Sequence, residues 1–99
     1  MQRKPLIAGN WKCFKTLSEA MLLVRKVRKG CVSSVDILVA PPFTVLYAVS
    51  RELQGSPIEV AGQNVHWEAQ GAWTGEISAE QLLDAGCKYA IVGHSERRQ

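Results

Sequence analysis

The sequence predicts an α/β fold built on parallel strands, and three observations carry that expectation. Short apolar runs alternate with segments of helical periodicity in the order strand, helix, strand, helix, strand, long loop, helix, strand. This alternation calls for parallel pairing with right-handed crossovers. Two of the runs, Val35–Ala40 and Lys88–Gly93, are mainly apolar, the first rich in β-branched residues, as in strands covered on both faces. Polar residues also begin abruptly where the first and last runs end, at Asn10 and at His94. In sheets built from βα units, the carboxyl ends of the strands are where ligands bind.

The first strand is expected at Pro5–Gly9. Thr16–Leu17–Ser18–Glu19 then reads as a capping box, with Thr16 as N-cap and Glu19 at the third helical position. Leu17, Ala20, Met21, Val24 and Val27 recur at helical spacing, and Gly30 is the expected stop. Pro41–Pro42 ends the second strand, because neither residue can donate to a ladder. A second helix is expected from about Thr44 to Leu53, with Leu46, Val49 and Leu53 inward and Gly55 closing it. Ile58–Gly62 is the third strand. The connection from Gln63 to Ser78 is long for a compact domain, and such loops are usually functional. Its two tryptophans, Trp67 and Trp73, are expected to bury against a surface. Ser78–Ala79–Glu80–Gln81 is a second capping box, opening a short helix that ends at Gly86. Lys88–Gly93 is the fourth strand, expected to be buried. No repeat or linker interrupts residues 1–99, which are read as a single domain.

Composition narrows the function classes. The 99 residues are 46% apolar, and no apolar run approaches the roughly 20 residues of a membrane span. Pro5–Gly9 is too short for a signal-peptide core, so a cytoplasmic location is expected and a membrane partner is not. Three cysteines, Cys13, Cys31 and Cys87, are odd in number and lack CxxC spacing, which argues against a disulfide framework or structural zinc. The net charge of +3 is unevenly spread: residues 1–30 carry eight Lys/Arg against one Glu, and residues 31–99 carry four against eight acids. Arg25, Lys26, Arg28 and Lys29 crowd the end of the first helix, where cations suit the helix dipole. No aromatic interleaving accompanies them, so nucleic acid is not an expected partner.

The first βα turn, Gly9–Asn10–Trp11–Lys12–Cys13, lacks the GxGxxG of a dinucleotide site, and no Walker A pattern occurs. Lys12, just past a strand end, suits an anionic ligand such as a phosphate or a developing enolate oxygen, although a solvated surface lysine would look the same. His94 at a strand tip suits a proton carrier or hydrogen-bonding electrophile, or simply a satisfied rim histidine. Glu96 could orient a neighbouring cation or cap a helical turn. The neighbours His94 and Ser95 do not form a Ser/His dyad, because adjacent side chains diverge. His66 and His94 lack metal-ligand spacing, and no metal or other cofactor is expected. Periodicity alone leaves open a doubly wound ligand-binding domain or part of a barrel.

In combination these segments are far more specific. Ala8–Gly9–Asn10–Trp11–Lys12, Ala40–Pro41–Pro42–Phe43, Ala61–Gly62–Gln63–Asn64, Gly71–Ala72–Trp73–Thr74–Gly75–Glu76–Ile77–Ser78 and Ile91–Val92–Gly93–His94–Ser95–Glu96–Arg97–Arg98 closely resemble the N-terminal part of the triosephosphate isomerase family, in order and spacing. The resemblance covers essentially the whole chain. It implies a partial (β/α)₈ barrel, four parallel strands and three helices out of roughly 250 residues. It also implies a glycolytic and gluconeogenic isomerase that interconverts dihydroxyacetone phosphate and glyceraldehyde 3-phosphate through an enediolate, without cofactor.

By that resemblance Lys12 is the cation facing the substrate, and Asn10 hydrogen-bonds the ligand. His94 is the electrophile that shuttles protons between the two oxygens, and Glu96 pairs with Lys12. The family is a standard illustration of a histidine kept neutral by a helix N-terminus, which is known of the family and not read from this sequence. The long loop would project into a twin subunit of a homodimer, carrying Trp73, Thr74 and Gly75 to the contact. Thr74 would reach the partner's Asn10–Lys12 region, with Gln63, Asn64 and Cys13 nearby and Cys13 buried there. The family's catalytic glutamate, lid and phosphate-gripping loops match nothing in the 99 residues. Alone, the polypeptide is expected to be nearly inert and to self-associate through open strand edges. It would then be a portion of an isomerase, one piece of a multi-chain barrel, or a self-associating structural module.

Overall fold

Each predicted element forms in the computed structural model, which describes residues 6–31 and 34–92. Strand β1 (Leu6–Asn10) is followed by helix α1 (Leu17–Gly30), β2 (Asp36–Ala40), α2 (Phe43–Glu52), β3 (Glu59–Gly62), α3 (Ala79–Asp84) and β4 (Tyr89–Ala90). All pairings are parallel, and the sheet runs β1-β2-β3-β4 in chain order. A doubly wound sheet reverses its strand order at a switch point. Here the order is monotonic, as winding around a barrel requires, and the doubly wound alternative falls. The register sets Asn10 opposite Ala40, Val39 opposite Val60, and Gly62 opposite Ala90.

The helix signals act as the sequence dictates, with one difference. Glu19 Oε1 accepts from the Thr16 amide at 2.9 Å and from its hydroxyl at 3.0 Å. These bonds hold the Glu19 carboxyl below the usual carboxylate range, the Thr16 amide being the larger cause and its hydroxyl the next. At α3 the Ser78 amide donates to Gln81 Oε1 at 2.9 Å, and the Gln81 amide donates back to Ser78 Oγ at 3.2 Å. Gly30 is the last residue of α1 but does not adopt a left-handed conformation; extended Cys31 ends the helix instead. Gly55 and Gly86 do take positive φ, at 83° and 101°.

The core lies between the helices and the central strands. Ala20 and Val24 of α1 meet Val45, Leu46 and Val49 of α2, over Val39 and Val60, with Leu53, Ile58, Leu82 and Cys87 completing the cluster. Leu17, expected inside, is exposed at the first position of α1. The basic end of α1 has a structural task. Arg28 donates to the carbonyls of Glu52 (2.6 Å) and Gln54 (3.4 Å), and Arg25 pairs with Glu52 at 3.1 Å. One helix thereby caps the carboxyl end of the next.

Two burial expectations are corrected. Strand β4 is not enclosed: Tyr89 is half-exposed and Val92 is 79% exposed. Among the described residues it has a strand neighbour on one side only, β3. Trp67 likewise finds no surface and stands 88% exposed. Among the described residues no helix is long and apolar enough to cross a membrane.

Candidate active site

Asn10 closes β1, and the chain then turns sharply. Lys12 sits in the left-handed region at φ 53°, unusual for a residue with a Cβ. Three contacts define the turn. The Lys12 amide donates to Asn10 Oδ1 at 2.9 Å. The Trp11 amide donates to the Ala40 carbonyl at the tip of β2, at 3.1 Å. Gln63, immediately after β3, donates from Nε2 to the Lys12 carbonyl at 2.7 Å and to the Ala40 carbonyl at 2.9 Å. Trp11 is buried and anchors the turn in the core, whereas the Lys12 side chain is exposed at the carboxyl rim. A cation held on fixed backbone beside strand ends can stabilise an anion without reorganising.

The structure therefore brings Asn10, Lys12 and Gln63 together. His94 and Glu96 lie outside the described residues. Cys13, next to Lys12, is exposed in the single chain. The sequence pointed to Gln63 only as a contact residue, and its bonds within the chain were missed. The available signal was its position: a side-chain amide directly after a buried strand, like Asn10 after the first.

The long loop folds on itself. The His66 amide donates to the Ile77 carbonyl, so the two ends of the loop run side by side. Asn64 Nδ2 donates to Glu76 Oε2 at 3.2 Å, His66 Nδ1 lies 3.6 Å from the same oxygen, and the Trp73 ring packs 4.6 Å from the His66 ring. Trp73, Thr74 and Gly75 line a pocket of about 390 Å³ with His66, Ser78 and Gln81.

A family model described as triosephosphate isomerase matches residues 5–99. The chain belongs to the triosephosphate isomerase family. The triosephosphate isomerase of Endomicrobium trichonymphae is 59% identical over 100 residues, covering 98% of this chain and 40% of that protein. That of Geotalea uraniireducens (strain Rf4) is 54% identical over 99 residues, covering 98% and 39%. The crystal structure of triosephosphate isomerase from Bartonella henselae superposes with a TM-score of 0.91 at 39% identity, covering 98% of this chain and 40% of that one. The chain thus spans about two-fifths of the length of these triosephosphate isomerases and corresponds to part of their α/β barrel.

Proposed function

We propose that these residues form the N-terminal portion of an isomerase that interconverts dihydroxyacetone phosphate and glyceraldehyde 3-phosphate by proton transfer through an enediolate. The observation that carries the reading is the match to triosephosphate isomerases along almost the whole chain. The Lys12 ammonium at the carboxyl rim suits the substrate phosphate and the charge that develops on the enediolate oxygen. Asn10 fixes the turn and offers a hydrogen bond to the ligand. His94 acts as the neutral electrophile that moves protons between the two oxygens, and Glu96 orients Lys12. The base that takes the carbon-bound proton comes from a segment not among these 99 residues.

The working unit is a cytoplasmic homodimer. Its contact is made by the loop bearing Trp73, Thr74 and Gly75, with Gln63, Asn64 and Cys13 at its margin. Supporting this, the loop is braced internally while Trp67 and Trp73 remain exposed.

A coupled isomerase assay on a chain of the relatives' length carrying these residues tests the proposal. Lys12→Ala and His94→Gln are each expected to lower turnover about 10²–10³-fold. Turnover indifferent to both would refute it. The 99-residue polypeptide assayed alone is expected to show almost no activity.

A further inference from the structure

We infer that Gln63 is a positioning residue: its side-chain amide holds Lys12 in the left-handed conformation that presents the ammonium at the rim. The inference rests on the reading of Lys12 as the substrate-facing cation. A residue with a Cβ leaves the left-handed region unless fixed contacts offset the steric cost. Lys12 is held on both sides. Asn10 Oδ1 accepts from its amide at 2.9 Å, and Gln63 Nε2 donates to its carbonyl at 2.7 Å. The Asn10 contact is local, two residues away, and ties the turn to the end of β1. Gln63 arrives 51 residues later in the chain from the end of β3, so it ties the carbonyl side of Lys12 to a second, independent strand.

Its second hydrogen bond supplies the reference point. The carbonyl of Ala40 accepts from Gln63 Nε2 at 2.9 Å and from the Trp11 amide at 3.1 Å. One side-chain amide therefore ties the ends of β1, β2 and β3 together. Both partners of Gln63 are carbonyl oxygens, so the amide nitrogen must face them, and both of its N–H groups are spent. Neither a carboxylate nor a thioether of similar length can replace it.

The test uses isotope-labelled protein of the relatives' length carrying these residues, with Gln63→Glu and Gln63→Met, the first repelling the two carbonyls and the second merely silent. The backbone scalar couplings of Lys12 report its φ, and the methyl resonances of Val24 and Val49 report the core. Expected in both variants are loss of the left-handed coupling signature and at least tenfold faster exchange of the Lys12 amide, with the valine methyls unmoved. A Lys12 that keeps its coupling and exchange rate in both variants overturns the inference. Titration with inorganic phosphate, read on the Lys12 side-chain resonances, is expected to show at least fivefold weaker binding in both. Phosphate that leaves Lys12 unperturbed in the unchanged chain sinks the substrate-cation reading instead. The couplings alone then decide whether Gln63 holds the turn.

Discussion

Gly86 shows how closely one residue can be specified. Its φ of 101° belongs to the left-handed region, and a Cβ built there would overlap Ser50 Oγ and sit 3.1 Å from Ser50 Cβ. Gly86→Ala is expected to cost about 2–4 kcal/mol, from backbone strain and overlap together. Urea unfolding measures the loss, and adding Ser50→Ala should recover part of it, because the closest atom is then gone. The next residue, Cys87, is buried, and burial pushes its thiol from 9.0 up to about 11. Between those values the unfolded chain has released its proton while the folded chain retains it. Stability from this group is therefore complete below about pH 9 and falls as the pH rises toward 11. Cys87→Ala should flatten that alkaline limb of a stability profile. At neutral pH, in the dilute 99-residue chain alone, exposed Cys13 should react with iodoacetamide well before buried Cys87.

At the scale of elements, the contact between α1 and α2 separates two arginines that look alike in sequence. The guanidinium of Arg28 donates to the Glu52 and Gln54 carbonyls at the carboxyl end of α2. Arg25 makes a surface ion pair with Glu52. Arg28→Met is expected to lower stability by about 1–2 kcal/mol and Arg25→Met by less than about 1 kcal/mol, measured by thermal unfolding. Reversed magnitudes would show that the ion pair, not the cap, joins the helices. Position in sequence announced the basic cluster but not this division of labour, which depends on where a helix 24 residues away ends. The elements themselves were legible because their signals are local. Thr16 with Glu19 and Ser78 with Gln81 satisfy amides within one turn, and Gly55 and Gly86 free the backbone where each helix stops. Burial was legible only where the chain supplies both layers. Val24 and Val49 are covered as their spacing demands, whereas Leu17, Trp67 and β4 depend on surfaces the described residues do not provide.

At the scale of the molecule, Asn10 and Lys12 were legible as candidate site residues because polar side chains begin where the first apolar strand ends. Gln63 and Asn64 entered only as contact residues implied by the family resemblance. Their mutual hydrogen bonds were not legible, since parallel register and the left-handed turn at Lys12 decide which atoms meet. The same register has a consequence for solution behaviour. The sheet begins with β1 and ends with β4, and each has one strand neighbour among the described residues. Leu6 and Ile7 of β1 are 64% and 57% exposed, on a strand that has a neighbour on one side only among the described residues. Apolar side chains on an open parallel edge template pairing with another chain. The 99-residue polypeptide by itself is therefore expected to associate as its concentration rises. Ile7→Lys places a charge on that edge without touching Val24, Val49 or the other buried positions, so it should lower the association without lowering the helical signal. Sedimentation velocity over a tenfold concentration range distinguishes the outcomes. A strictly monomeric polypeptide would show that the edge is protected by residues beyond those described. Association unchanged by Ile7→Lys would instead move the contact to the exposed tryptophans of the long loop, where Trp67→Ser becomes the decisive substitution.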